Sequence, residues 1–393
     1  MSPAPLNLLA AERWDVLIAG AGPAGGVAAV LLARMGLRVL LADAARFPRA
    51  KVCGGCLSAA GARVLRELGL GDLVDEPNAV RLSEMRLGVG TREAVIRLPV
   101  GGVVVCREWF DSKLAAHAVS AGATLIDGAA LRVDGPRLPG ASTLSATLTR
   151  AGESVRLAAA AFVAADGLSA SSVSHLATLR PRTWSGSRVG IGALVELGRC
   201  LPPSGVLRMM VGHGVYAGAV RVADGRCDIA ASIAPEFMKA SGGPRRALAP
   251  LLSRFGIETN DDDGVVWKGT PRLTRTRSAA IPGIFLLGDA AAYAEPMTGE
   301  GMTWALTSAR EAAGIIAASI GREALESAAT WRAAHRRLLD ARLRSCRAVA
   351  ALVRAPTLVT AAVMAGTAAP ALASWIAGRF ARPLPRALAG ITP

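Results

Sequence analysis

The chain has 393 residues, of which 52% are hydrophobic and only 4% aromatic, with a mean hydropathy of +0.38, so it can bury a large core without staples. Its net charge of +15 comes from 41 arginines and four lysines spread along the whole length, which argues against a nucleic-acid-binding stripe. No basic segment followed by an apolar run opens the sequence, so Cys53, Cys56, Cys106, Cys200, Cys227 and Cys346 are expected as free thiols of a cytoplasmic protein.

The first periodic segment is WDVLIAGAGPAGGVAAVLLARMGLRVLLAD. Asp15 to Ala19 reads as a buried strand, Ala24 to Met35 has helical spacing, and Arg38 to Ala42 reads as a second strand. Gly20, Gly22 and Gly25 stand where a βαβ dinucleotide cradle needs a tight turn, a close approach of backbone to pyrophosphate, and close helix packing. Pro23 and Ala24 open the helix, whose N-terminus offers free N–H groups to phosphate. Asp43 closes the second strand, where a carboxylate accepts from ribose hydroxyls.

FPRAKVCGGCLS follows, with Cys53 and Cys56 at C-x-x-C spacing. A turn that presents a thiol to a bound ring, simple packing, and a dithiol redox pair all fit that spacing. No second pair completes a zinc set, and no metal is expected. Further on come VVVCREWFDSKLAAHA, with Arg107, and FVAADGLSAS, with Asp166 and Gly167. His213 and Tyr216 share one short strand-like segment and are candidates to orient or protonate a substrate, with structural roles as the alternative for each. Then IPGIFLLGDAAAYAEPMTGEGMTWALTSA delivers Gly288 and Asp289 from an apolar strand, and Pro296, Gly299 and Gly301 lead into a helix near Met302, a second approach of backbone to the same kind of ligand. Residues 355 to 377 carry no charge and are long enough to span a bilayer, but Pro356 and Pro370 argue against one continuous helix, and peripheral membrane contact is left open beside a cytoplasmic location.

These segments, in this order from about residue 13 to 310, resemble the FAD-dependent oxidoreductases of the geranylgeranyl reductase and aromatic-ring hydroxylase (flavin monooxygenase) superfamily. The resemblance implies FAD as cofactor, with Asp289 on the ribityl chain, the helix at Met302 aimed at the pyrimidine edge, Cys53 and Gly54 beside the flavin, and Arg107 and Asp166–Gly167 in contact with it. It implies NADPH or NADH as electron donor. The Arg that follows the Asp-Gly pair in the hydroxylases is missing, however, since this chain reads Leu168, Ser169, Ala170, and that leaves a separate electron-donor protein open. The segment around Tyr216 has Ala217 and Gly218 where geranylgeranyl reductases carry bulkier residues, and no Trp-x-Trp-x-Ile-Pro segment of halogenases is present.

The fold expected is α/β: a glutathione-reductase-type FAD-binding Rossmann domain (13–175 and 271–320) with an inserted antiparallel-sheet substrate domain (176–270, joined by about 80–100) and a C-terminal helical segment (321–393). The function expected first is a monooxygenase that hydroxylates a lipophilic polyketide or phenolic molecule through a flavin hydroperoxide. An ene-reductase of isoprenoid double bonds, with Cys53, Cys56 or Tyr216 as proton donor, is the alternative. A non-catalytic flavoprotein is the third reading.

Overall fold

The computed structural model describes residues 6–98, 101–196, 202–256, 264–295, 299–369 and 374. Its helices run over Leu6–Ala11 (α1), Pro23–Arg34 (α2), Ala59–Glu67 (α3), Arg107–Ser120 (α4), Pro235–Ala240 (α5), Pro244–Leu252 (α6), Gly301–Ser319 (α7), Ala324–Val353 (α8) and Pro356–Ala368 (α9).

Strand Trp14–Ala19 is apolar on both faces from Val16 onward because it lies in the middle of an eight-stranded sheet. It pairs in parallel with Val39–Asp43 on one side and with the end of Glu153–Ala164 on the other. Thr124–Asp127 extends the sheet beyond Val39–Asp43. Far along the chain, Ile284–Leu286 returns to pair in parallel with Phe162 to Ala164. That return brings the turn at Gly288 to the same end of the sheet as Gly20. A Cβ on Gly288 would stand 3.1 Å from the Ala24 side chain, so α2 and α7 meet there at close range.

A seven-stranded sheet is ordered Lys268–Arg272, Val189–Val195, Cys227–Ile233, Val215–Arg221, Val206–Gly212, Glu84–Val89 and Arg92–Arg97. All its pairings are antiparallel except the one between Val206–Gly212 and Glu84–Val89. Strict alternation divides its side chains. Ile191, Ala217, Ile229 and Ile233 pack against Leu248, Leu252 and Phe255 of α6 and the turn after it. The opposite face carries Tyr216, Asp228, Ala230 and Ser232. Part of it is covered by Val353, Val359 and Val363 of α8 and α9.

Two expectations change here. Cys227 is joined in a disulfide, so the thiols are not all free. Pro356 does not interrupt a helix: it occupies the first turn of α9, where its missing N–H costs nothing. Among the described residues no single helix is long and apolar enough to cross a membrane. The pair Leu343–Val353 and Thr357–Ala368 passes that test only together, across a bend of 100°.

Candidate active site

Glycine spacing at the head of α2 has a direct steric meaning. Gly20 has φ +95°, and a Cβ there would lie 2.6 Å from the Ala165 carbonyl oxygen. A Cβ on Gly25 would stand 1.8 Å from the Gly20 carbonyl oxygen, which no side chain tolerates. Gly22 is different, because its Cβ position is bordered only by the guanidinium groups of Arg49 and Arg107, at 3.6 and 3.7 Å. Backbone stripped of side chain, a helix N-terminus and two guanidinium groups thus meet at one spot, the donor set a pyrophosphate requires.

Asp43 is buried and accepts from the backbone N–H of Ala21 and of Ala45 at 2.9 and 3.0 Å. Arg49 donates to it from Nε and Nη2. The same Arg49 reaches Asp111 at 3.0 Å, and Arg107 grips Asp111 with two bonds of 2.9 and 2.7 Å. Arg49 Nη2 is the atom beside the Gly22 Cβ position, while its buried Nη1 is turned to Asp111. Asp289 is held near this group by the turn Gly288–Ala290, and burial raises its carboxyl to about 6 against the pull of Lys51 and Arg107. These residues fit FAD: an acid for ribose, guanidinium groups for phosphate, and a second acid at the far turn.

Asp166 is placed otherwise than its expected role suggests. Its carboxylate accepts from Ser171 Oγ, Ser172 Oγ and Ser172 N, so it closes its own turn. Gly167, with φ +77°, faces Lys51, whose Nζ lies 3.3 Å from where a Cβ would be. Pro296 lies outside the described residues. Gly299 lies against Cys56, 3.6 Å from Cβ position to Cβ, and Gly301 begins α7 beside the ring of Tyr293. Met302 is buried in the first turn of α7.

The loop with Cys53 and Cys56 rests on the polar face of the seven-stranded sheet. Val52 meets Gly192, Gly54 meets Ala230, and a Cβ on Gly55 would stand 3.3 Å from Asp228 Oδ2. Small residues on strands Val189–Val195 and Cys227–Ile233 make this approach feasible. Both thiols are free. Burial pushes the Cys53 thiol up despite the Arg107 guanidinium lying against it, and burial with Cys53 and Asp228 nearby pushes the Cys56 thiol up as well. Burial also raises the Asp228 carboxyl to about 8, although Arg107 and Arg226 pull it down. Cys53 and Asp228 are therefore both protonated at neutral pH.

A second polar group adjoins this one. Glu295 is fully buried and accepts from Ser232 Oγ at 2.6 Å and from Arg354 at 2.6 Å, with Arg188 at 3.4 Å. Arg188 lies over the ring of Tyr216, 5.6 Å from its centre. The buried Tyr216 hydroxyl lies beside Ser232 but makes no well-directed hydrogen bond with the described residues. Tyr293 joins the two groups, since Asp289, Cys53, Tyr216 and Glu295 all act on its phenol, which burial holds well above its ordinary range. Cys53 and Tyr216 thus both lie within reach of the Tyr293 phenol, and Cys56 adjoins Cys53. His213 lies apart. It is exposed in the turn after Val206–Gly212 with its ring edge-on to Phe237 at 6.1 Å, and no acid of the site is near it.

Sequence reasoning missed Arg49, Lys51, Asp111, Asp228, Tyr293 and Glu295. For Asp228 a signal existed, a lone acid in the apolar run CDIAASI.

Comparison with known proteins agrees with this geometry. The family described as FAD binding domain matches residues 13–188. A menaquinone reductase of Mycolicibacterium smegmatis is 28% identical over 340 residues, covering 77% of this chain and 76% of that one. A digeranylgeranylglycerophospholipid reductase of Thermoplasma volcanium is 26% identical over 346 residues, 80% of each. The crystal structure of a geranylgeranyl bacteriochlorophyll reductase-like protein from Thermoplasma acidophilum superposes with a TM-score of 0.74 over 92% of both chains, at 19% identity.

Proposed function

Starting from an FAD-dependent oxidoreductase of the superfamily that holds the geranylgeranyl reductases and aromatic-ring hydroxylases, we propose that this chain saturates a carbon–carbon double bond in the isoprenoid part of a lipid. The observation that carries this reading is the meeting of the Cys53 thiol and the buried Asp228 carboxyl where the loop rests on the sheet, burial favouring the protonated form of each. Saturation requires a hydride on one carbon and a proton on its neighbour. Hydroxylation requires no such acid. Menaquinone and digeranylgeranyl lipids both carry polyprenyl chains, and relatives named for reducing them favour the same substrate class.

Reduced FAD, when bound, supplies the hydride, and a nicotinamide nucleotide or a small redox protein restores it. The rest of the chemistry belongs to this chain. Arg49 and Arg107 hold the phosphates, Asp43 the ribose and Asp289 the ribityl chain. Cys53 keeps its proton because its surroundings are dry, and delivers it from sulfur to the substrate carbon. Arg107 then stabilises the thiolate, and Asp228 is placed to return a proton to it. Gly192 and Ala230 keep the sheet face low, so that the Cys53 loop lies directly on it.

Anaerobic incubation of the dithionite-reduced protein with menaquinone, read by mass spectrometry, should show product that has gained two hydrogens per double bond. Product that gains oxygen, and forms only when dioxygen is admitted, would restore the hydroxylase reading. Cys53→Ala should slow the reduction at least tenfold, since general acids contribute roughly 10²–10⁴-fold. Cys346→Ala, buried in α8 and away from the cofactor cradle, should leave the rate unchanged.

A further inference from the structure

The last two helices differ sharply in chemistry. Between Trp331 and Arg354 the sequence carries seven arginines against one acid, Asp340. Arg336, Arg337, Arg344 and Arg347 are all exposed, and Arg336, Arg337 and Arg344 line an open groove with Ala333 and Asp340. Across the 100° bend, residues 355–369 contain no charged residue. Helix α9 buries Val359 and Val363 against Ala94, Met209 and Val211 of the sheet. Its other face stands in the open, with Leu358 53% and Met364 51% exposed, flanked by Ala361, Ala362, Ala365 and Ala368. A surface helix in contact with water ordinarily places charge on that face.

We propose that α8 and α9 form a docking surface for an anionic lipid bilayer, the arginines of α8 on the headgroups and the open face of α9 in the acyl boundary. Charge complementarity selects this occupant: a neutral apolar partner would leave the arginine row unmatched, whereas an anionic bilayer matches both halves at once. The surface is also continuous with the site. At the bend, Arg354 lies 4.4 Å over the Trp184 ring and reaches the buried Glu295. Lipid drawn from the bilayer at α9 therefore enters beside the group that lines the site. This delivery route rests on the reductase reading, but docking itself does not.

The test is flotation of the full chain, loaded with FAD, with phosphatidylglycerol vesicles and with phosphatidylcholine vesicles. The protein should float with the first and not with the second. Arg336→Gln with Arg344→Gln should weaken partitioning about thirtyfold, taking about 1 kcal/mol for each basic residue at an anionic surface. Leu358→Asp with Met364→Asp should abolish it, while both double variants keep their flavin and their turnover of detergent-solubilised substrate. Failure of the parent protein to float with phosphatidylglycerol would overturn the proposal. So would a dimer that Met364→Asp splits without any change in flotation, because the face would then belong to a second copy of the chain. Flotation without turnover would retain the docking surface and remove only the reductase.

Discussion

Asp228 is an acid placed where strand alternation puts it inside, between Cys227 and Ile229 and under the Gly55 turn. Its carboxyl is raised from 3.8 to about 8, so between those values the folded protein holds a proton that the unfolded chain has released. The sign follows. Its contribution to stability is complete below the ordinary carboxyl range and declines as pH rises through 8. Asp228→Asn keeps the shape and removes the ionisation, so it should flatten the fall in the urea midpoint between about pH 5 and about pH 9. The parent's reduction rate should fall above pH 8 as the proton reservoir empties, and this limb should vanish in the variant. An unchanged slope and an unchanged limb would show that another group titrates there.

At the scale of elements, the nucleotide cradle was legible in the sequence because it is local. Gly20, Gly22, Gly25 and Asp43 all fall within one βαβ unit, and each has a requirement that a spacing rule expresses. The Cys53 loop was visible as a motif, but its acid was not, because Asp228 arrives from a strand 175 residues later. The buried Glu295 with Arg188 and Arg354 was equally hidden, since three distant segments converge on it. Asp166 adds a role the motif did not show, since its carboxylate closes its own turn by accepting from Ser171 and Ser172. The tight seat of α2 on its strand gives a prediction. Gly25→Ala must displace the helix, at a cost of about 1–3 kcal/mol for overpacking. Equilibrium titration should show FAD affinity down at least tenfold. Gly135→Ala, where nothing lies within 4 Å, is the control and should match the parent.

Across the whole molecule, the seven-stranded sheet and the cradle do not separate along the chain. Strands Glu84–Val89 and Arg92–Arg97 leave the first half to join the sheet, and Ile284–Leu286 returns to the cradle after it. Unfolding should therefore be one transition that moves as a unit. At about 100 times its dissociation constant, FAD should add about 2.7 kcal/mol and raise the midpoint by a few degrees. Differential scanning calorimetry with two transitions, only one of them shifted by FAD, would show that the bodies unfold separately.

The late return of Ile284–Leu286 also sets a timetable for synthesis. Strand Glu153–Ala164 leaves the ribosome with one parallel neighbour in place and its other edge bare. Its partner follows about 120 residues behind, roughly 6–24 s at 5–20 residues per second. During that interval an apolar strand edge is open to any passing chain. The nascent protein cannot close its cofactor cradle until Leu286 has emerged, so a ribosome stalled before that point leaves a fragment that neither takes up flavin nor hides its edge. Rescue of stalled chains by a holdase, and loss of yield when translation is slowed between residues 165 and 284, are the cellular costs of building one site from two ends of a sequence.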